Sequence, residues 1–178
     1  MKHFWGRVPI TYGAAILTFQ KEGMVQEMVH ALKYRHKRDV GNLLGTFAAR
    51  HMIESGKFND TDCIIPVPIS SKRLKKRGYN QAEIFGEGIS KEINIPIHHN
   101  VLIKVRDTGT QTARSRQDRM EKVANSFKVK KKSLIKDMHI LLVDDVITTG
   151  ATLESCASLL LKEGAQAISC MTIAIATE

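Results

Sequence analysis

One segment near the carboxyl end of the chain constrains the fold more than any other. Ile140-Leu141-Leu142-Val143 is a continuous apolar run, as expected for a parallel strand that is covered on both faces. Apolar residues at helical spacing follow it at Leu153, Ala157, Leu160 and Leu161. Gly164 then stands where a glycine commonly ends a helix, and residues 167–176 predict another strand. A βαβ unit of this kind predicts the α/β fold class, with a mainly parallel, twisted sheet flanked by helices.

Shorter elements are predicted along the rest of the chain. Apolar runs predict strands over residues 11–19, 63–68, 95–101 and 126–129. Helical spacing predicts helices that begin near residues 24, 40 and 82, and Asp39 is a candidate N-cap of the second. Residues 72–77 are predicted to be a loop. The polar, charged stretch 106–123 is too long for an ordinary connection, and we expect it to serve function.

Length and composition fit one globular domain. The chain has 178 residues, of which 43% are hydrophobic, and this argues against global disorder. No apolar run approaches the roughly 18 residues of a membrane span, and the first residues do not resemble a signal peptide. The three cysteines form no CxxC pair, which argues against a disulfide framework or a zinc ribbon. We therefore expect a cytoplasmic protein with no membrane partner.

The charge of the chain predicts an anionic partner. The sequence has 27 Lys and Arg against 18 Asp and Glu, a net charge of +9. Five cations fall within residues 72–77 and ten within residues 104–132. Neither segment has the apolar stripe of an amphipathic membrane helix, so a membrane surface is not favoured. The partner could be nucleic acid or a phosphorylated small molecule. Alternatively, the basic segments have no partner and form a charged face exposed to solvent.

The residues that carry chemistry lie between the apolar strand and the helix that follows. Asp144 and Asp145 come at the carboxyl end of the strand, where open α/β sheets bind ligands. A hydroxyl- and glycine-rich turn then enters the helix: Thr148, Thr149, Gly150, Ala151 and Thr152. Such a turn offers backbone N–H groups and the positive end of the helix dipole to a phosphate. The acids could instead cap the helix, but adjacent carboxylates repel each other and favour a ligand or cation. The pattern predicts a ribose 5-phosphate site.

Residues 140–152 resemble the phosphoribosyl pyrophosphate (PRPP) signature of type I phosphoribosyltransferases. Other segments resemble the competence protein F (ComF) branch of that family: Ala31-Leu32-Lys33-Tyr34, Ile65-Pro66-Val67-Pro68, Lys76-Arg77-Gly78-Tyr79-Asn80-Gln81 and Thr110-Gln111-Thr112. The likeness implies a single domain over residues 1–178. In it, a small hood from about residues 1–55 and a flexible loop would cover a PRPP-binding core from about residues 60–178. The chain lacks the cysteine-rich zinc-binding segment with which longer members begin, so zinc is not expected.

The resemblance also implies roles for individual residues. Asp144 and Asp145 would hold the ribose hydroxyls, directly or through water bound to Mg²⁺, and residues 148–152 would hold the 5-phosphate. The expected pyrophosphate contacts are Ser70, Ser71, Lys72, Arg73 and Arg77. Residues 106–123 would be the flexible catalytic loop, with contacts from Gln111, Arg114, Arg116 and Arg119, of which Gln111 and Arg116 would be catalytic. Thr148 stands where enzymes for 6-oxopurines carry an acid, so that substrate class is not favoured.

The activity implied by the resemblance is Mg²⁺-dependent transfer of a phosphoribosyl group from PRPP to an unknown nitrogen acceptor, as in nucleotide metabolism. The alternative is a non-catalytic PRPP-sensing or DNA-uptake accessory protein, whose partners would be single-stranded DNA or the competence machinery. Residues 72–77 contain no aromatic residue and residues 104–132 contain only Phe127, which counts against base stacking. A homodimer is common among type I relatives. The cations of Lys33-Tyr34-Arg35 suit the C-terminus of a helix, where they interact with the dipole. A contact between this segment and the ligand is an equally good interpretation.

Overall fold

The computed structural model of the protein describes residues 8–20, 22–105 and 126–176. The strands of this part of the chain are β1 (Gly13–Phe19), β2 (Cys63–Pro66), β3 (Leu102–Lys104), β4 (Phe127–Val129), β5 (His139–Ile147) and β6 (Ala167–Ala176). Its α-helices are α1 (Met24–Tyr34), α2 (Arg38–Ser55), α3 (Ser71–Arg77), α4 (Gln81–Ile93) and α5 (Ala151–Lys162). The predicted helices near residues 24, 40 and 82 and the strand within residues 126–129 are therefore confirmed.

The central sheet is parallel and has the strand order β1-β6-β5-β2. Its two interior strands, β5 and β6, pair with neighbours on both sides, and Ile140 to Val143 are completely buried. β3 and β4 form a separate antiparallel pair. The predicted α/β class with a mainly parallel sheet is confirmed, and the apolar run 140–143 is the interior strand that it was expected to be.

Alternate residues of β5 face two different layers of the protein. Leu141 and Val143 belong to a hydrophobic cluster with α1, α2 and α4. Ile140 and Leu142 belong to a second cluster with α5 and the β3–β4 pair. Burial of each such side chain stabilises the fold by about 1.5–3 kcal/mol. Because side chains of β5 pack into the layers on both faces of the sheet, the last residues of this strand are held in place from both sides.

Glycines allow α2 and α4 to lie unusually close together. A Cβ atom on Gly45 would lie 2.3 Å from the carbonyl oxygen of Phe85, and one on Gly88 would lie 2.4 Å from the carbonyl oxygen of Asn42. These neighbours are backbone atoms, so a side chain could not be accommodated by a rotamer change. The contact between the two helices is therefore backbone against backbone.

The basic segment 72–77 is helical, so the predicted loop is wrong. α3 begins after Ser70, whose side-chain oxygen accepts a hydrogen bond from the N–H of Arg73 at 3.4 Å. It ends at Gly78, which has a φ of +77° and donates its N–H to the carbonyl of Leu74. All residues of α3 are described and none is buried, so the segment has no apolar periodicity that could have indicated a helix.

Two further details of the predicted elements are wrong. Asp39 is not an N-cap, because α2 begins at Arg38 and Asp39 lies in its first turn, where an acid suits the helix dipole. Residues 95–101 form a single parallel bridge, between Ile97 and Ile64, instead of a strand. Pro96 accepts a hydrogen bond from the N–H of Ile64 but has no N–H of its own to continue the pairing.

The N-terminal part of the chain contributes directly to the core. β1 pairs with β6 at the edge of the central sheet, so this strand belongs to the sheet, and the division of the domain into hood and core stays a prediction. The three cysteines, Cys63, Cys156 and Cys170, are buried and free. Among the described helices, none has the length and apolar character needed to cross a bilayer.

We predict that Gly45→Ala destabilises the protein by about 2 kcal/mol or more, because the new Cβ overlaps the carbonyl of Phe85. Alanine is intrinsically the better helix former by about 1 kcal/mol, so any loss must come from the contact with α4. Urea unfolding followed by circular dichroism measures the change. Gly23→Ala is the control, since its nearest contact would be an ordinary 3.4 Å, and equal stability of the two variants would contradict the prediction.

Candidate functional site

The candidate site lies at the edge of the sheet where β5 and β2 end. The N–H of Val67 donates to the carbonyl of Val143 at 2.9 Å, which brings the segment after β2 next to Asp144. The side-chain amide of Asn80 donates to the carbonyl of Val67 at 3.0 Å and fixes the start of α4 at the same edge. The segments at 67–71, 80 and 144–152 are therefore neighbours, although they are far apart in the sequence.

Asp144 and Asp145 are the last acidic residues of β5 and are held by backbone hydrogen bonds. The N–H of Asp145 donates to Oδ1 of Asp144 at 2.8 Å, and the N–H of Val146 donates to Oδ1 of Asp145 at 2.7 Å. Asp144 still pairs with Thr172 of β6, so the acids lie within the strand and not in the turn after it. The sheet thus fixes the backbone of both acids.

Each acid has a lysine in its surroundings. Oδ2 of Asp145 lies 2.8 Å from Nζ of Lys33 at the end of α1, and these two side chains are only 18% and 22% exposed. Asp144 interacts electrostatically with Lys104 of β3 and with the buried thiols of α5 and β6. The two layers that cover the sheet therefore each place a cation near the acidic pair.

The environment of Asp144 disfavours its charged form. Burial, and after it the charge of Asp145, raises the pKa of Asp144 to about 8. The hydrogen bond from the N–H of Asp145 and the charges of Lys33 and Lys104 act in the opposite direction and are outweighed. A ligand that donates hydrogen bonds to this carboxylate, or that brings a cation, would favour ionisation. A carboxyl group whose pKa is raised by burial and by a neighbouring charge, like that of Asp144, is typical of a functional site.

The glycine turn leads from β5 into α5. Thr148 and Thr149 are exposed, and Gly150 is buried with a φ of +77°, a conformation that glycine adopts without strain. Ala151 and Thr152 form the start of the helix, whose first N–H groups have no partner inside it. All five residues predicted to hold a phosphate therefore surround one helix N-terminus, close to the acidic pair in the chain.

The residues predicted to bind pyrophosphate divide into two groups. Ser70 is buried as the N-cap of α3, and Arg77 donates to Oε1 of Gln81 at 2.8 Å. The guanidinium of Arg77 also packs over the ring of Tyr34, 5.4 Å from its centroid. Ser71, Lys72 and Arg73 are exposed along α3. The loop contacts predicted from the resemblance, Gln111, Arg114, Arg116 and Arg119, lie outside the described residues.

The last turn of α1 is part of the site, and Lys33 was not among the predicted site residues. The carbonyl of Leu32 accepts a hydrogen bond from the hydroxyl of Tyr79, while Lys33 binds Asp145 and Tyr34 packs with Arg77. Three successive residues of one helix thus contact the acidic pair and the segment after α3. The sequence did mark both residues, because Lys33 and Asp145 each lie in a segment that resembles the family. It did not show that the two segments are close in space.

The acidic pair fits a divalent cation that is shared with a ligand. In the ranges that the structure describes, no group of three or more His, Cys, Asp or Glu side chains could hold a metal ion. Mg²⁺ is usually bound through one or two carboxylates, water and substrate phosphates, and does not need a cage made entirely of protein ligands. Asp144 and Asp145 can supply the one or two carboxylate ligands that such a site takes from the protein.

Comparisons with known proteins agree with this geometry. Residues 80–177 match the model of the phosphoribosyl transferase domain. The chain is 39% identical over 108 residues to competence protein F of Haemophilus influenzae, covering 60% of this chain and 47% of the relative. It is 34% identical over 111 residues to competence protein ComFC of Bacillus subtilis (62% and 43%), and 26% identical over 144 residues to DNA utilization protein YhgH of Escherichia coli (79% and 63%). The chain thus spans about half to two thirds of the length of these relatives.

Solved structures show the same fold at low sequence identity. The glutamine PRPP amidotransferase from B. subtilis, complexed with ADP and GMP, has a TM-score of 0.56 at 18% identity. The allosteric regulatory enzyme of purine biosynthesis has a TM-score of 0.53 at 22% identity. In both cases 82% of this chain and 30% of the other chain are covered. The sheet and helices described above therefore form a known architecture.

We predict that Asp144→Asn stabilises the ligand-free protein at pH 8 by at least about 2 kcal/mol, or at least about 4 °C in Tm. Because the pKa of Asp144 is raised by folding, the folded protein keeps a proton that the unfolded chain releases above about pH 4. Stability therefore falls as pH rises from there toward 8, and asparagine removes this loss.

Thermal unfolding of wild type and variant between pH 4 and pH 8 measures the effect. The difference in Tm should be small near pH 4 and grow with pH. Asp137→Asn is the control, since Asp137 is an exposed acid before the opposite end of β5. A difference between Asp144→Asn and wild type that does not change with pH would contradict the assignment.

Proposed function

Because the chain belongs to the phosphoribosyl transferase domain family, in the ComF branch of its type I members, we propose that it binds PRPP and transfers the phosphoribosyl group to a nitrogen acceptor, with release of pyrophosphate. One observation carries this proposal. Asp144 and Asp145 lie in the last half of β5, shortly before Gly150 and the N-terminus of α5. That arrangement offers carboxylates to ribose hydroxyls and N–H groups to a 5-phosphate.

The phosphate end of the ligand would be held by the turn before α5. The backbone reaches the helix through Gly150, which has no side chain to separate it from phosphate oxygens. The hydroxyls of Thr148 and Thr149 are exposed and can donate hydrogen bonds from the rim of the turn. The helix N-terminus favours the negative charge, so the contact needs no lysine or arginine of its own.

The pyrophosphate end would be held by the segment that follows β2. Ser70 and Ser71 follow Val67, which is hydrogen-bonded to Val143 of β5, and α3 adds the cations Lys72, Arg73 and Arg77. Arg77 would exchange its hydrogen bond to Gln81 for a bidentate contact with phosphate oxygens. By family resemblance, Gln111, Arg114, Arg116 and Arg119 would close over the ligand and exclude water, which would otherwise hydrolyse it.

The reaction requires no nucleophile from the protein. The bond between the anomeric carbon and the pyrophosphate oxygen breaks, and the acceptor nitrogen forms a bond to the same carbon and loses its proton. Asp144 and Asp145 would orient the ribose through its hydroxyls, and their negative charge would favour the positive charge that develops on the sugar. Mg²⁺, held by the same two residues through water, would neutralise charge on the departing pyrophosphate.

A second candidate function is binding of single-stranded DNA without turnover, as an accessory of DNA uptake. The observation that favours it is the exposed cationic surface of α3, formed by Lys72, Arg73, Lys75 and Lys76. The relatives named for competence and DNA utilization support the same candidate. A non-catalytic PRPP sensor, a homodimer, a cytoplasmic location and a place in nucleotide metabolism also remain proposals.

We predict that Asp145→Asn and Asp144→Asn each weaken PRPP binding by about tenfold or more, because each removes a charged acceptor for a ribose hydroxyl. Isothermal titration with PRPP and Mg²⁺ measures the affinity. Asp137→Asn makes the same chemical change at an exposed site and should bind like wild type. If the folded wild-type protein does not bind PRPP, or if all three variants bind equally, the proposed site is wrong.

Turnover is tested separately by the release of pyrophosphate across a panel of nucleobases and other nitrogen acceptors. Release with one acceptor, reduced in Asp145→Asn, supports the transferase. PRPP binding without release for any acceptor would favour the sensing or accessory function, which has no chemical step.

We predict that single-stranded DNA, if it binds, binds through α3. The triple variant Lys72→Gln, Lys75→Gln and Lys76→Gln should then lose most of a salt-sensitive gel shift, because phosphate contacts release counterions. The control removes three exposed lysines elsewhere, with Lys57→Gln, Lys91→Gln and Lys162→Gln, and lowers the net charge equally. Equal loss in both variants would show a nonspecific charge effect, and no shift for wild type would exclude this function.

A further inference from the structure

Lys33 occupies one oxygen of the acidic pair. Its Nζ lies 2.8 Å from Oδ2 of Asp145, while Oδ1 of the same carboxylate accepts the N–H of Val146 at 2.7 Å. Both side chains are about four-fifths buried, so water screens this ion pair less than it would screen a surface pair. Each oxygen of Asp145 thus has a partner from the protein itself.

The position of Lys33 is set by contacts on both sides of it. Leu32 is completely buried, and its carbonyl accepts the hydroxyl hydrogen bond of Tyr79. The ring of Tyr34 packs with the guanidinium of Arg77. α1 therefore cannot withdraw at this turn without the loss of these contacts, and the backbone of Lys33 stays within reach of the carboxylate.

The ammonium and a divalent cation would compete for the same oxygen. At 2.8 Å the Lys33–Asp145 contact is a direct hydrogen bond that uses one lone pair of this oxygen, so a metal ion or its water would have to share the oxygen with the ammonium group. A cation bound to Asp144 and Asp145 without a ligand would also face the positive charge of Lys33. Within the described ranges, no third His, Cys, Asp or Glu completes a metal site that could compensate for this repulsion.

We propose that Lys33 is a positioning residue that prevents the acidic pair from holding a divalent cation by itself. The metal then enters only together with a ligand whose own oxygens complete its coordination. This inference rests on the proposed function in one respect, because it takes that ligand to be PRPP. The effect of Lys33 on the metal alone does not depend on which ligand is bound.

The test is titration with Mn²⁺ alone, in the absence of PRPP, followed by the electron paramagnetic resonance signal of the free ion. Wild type should bind Mn²⁺ weakly. Lys33→Met should bind it about tenfold or more tightly, because Asp145 loses the cation with which it pairs. Lys33→Arg keeps the charge and should remain as weak as wild type. Lys37→Met is the matched control, since Lys37 is exposed in the turn after α1, and it should have no effect.

A double variant locates the new affinity. Lys33→Met combined with Asp145→Asn should lose the gain in Mn²⁺ binding, because the carboxylate that Lys33 released is gone. Lys33→Gln serves as the second neutral variant should Lys33→Met fail to fold, which circular dichroism and thermal unfolding report. A gain that persists in the double variant would overturn the proposal, since the metal would then bind elsewhere.

Two other results would overturn the proposal. One is Mn²⁺ affinity in the folded neutral variants that stays within about twofold of wild type, which would leave the ion pair with a structural role only. The other is tight binding by Lys33→Arg, which would show that shape and not charge excludes the metal. Failure of the proposed function has a different signature, because wild type would then not bind PRPP with Mg²⁺ whatever the outcome of the Mn²⁺ titration.

Discussion

The structure depends on one strand that is covered on both faces and carries two adjacent carboxylates near its carboxyl end. β5 lies inside the parallel sheet, and the residues before Asp144 are completely buried. A charged group is costly at that depth, and burial accordingly raises the pKa of Asp144. The helices of one face and the β3–β4 pair of the other border the acidic pair, and each side places a lysine near it.

The same edge brings together segments that have little structure of their own. α3 has no buried residue and is defined by its capping serine and its terminal glycine. The C-terminal turn of α1 is fixed by contacts with Tyr79, Arg77 and Asp145. α3, which would bind the pyrophosphate, and the last turn of α1, which binds Asp145, are thus both arranged around the carboxyl end of β5.

The central sheet and the acidic turn could be predicted because their signals are local. An apolar run that continues without interruption indicates a buried parallel strand, and adjacent acids before a glycine turn indicate a ligand site. α3 was missed because caps without an apolar stripe give a weak helical pattern. Lys33 was left open because its partner, Asp145, lies far away in the sequence, and only the fold shows that they meet.

The glycine contact between α2 and α4 also limits how this protein can change over time. Core positions usually adapt to a substitution when neighbouring side chains exchange volume, but Gly45 and Gly88 meet backbone atoms that cannot be exchanged. Substitutions among the surrounding apolar residues should therefore leave the distance between α2 and α4 unchanged. Because α4 starts at Asn80, which is bonded to the segment after β2, the hydrophobic core can vary while the start of α4 keeps its position at the edge of the sheet.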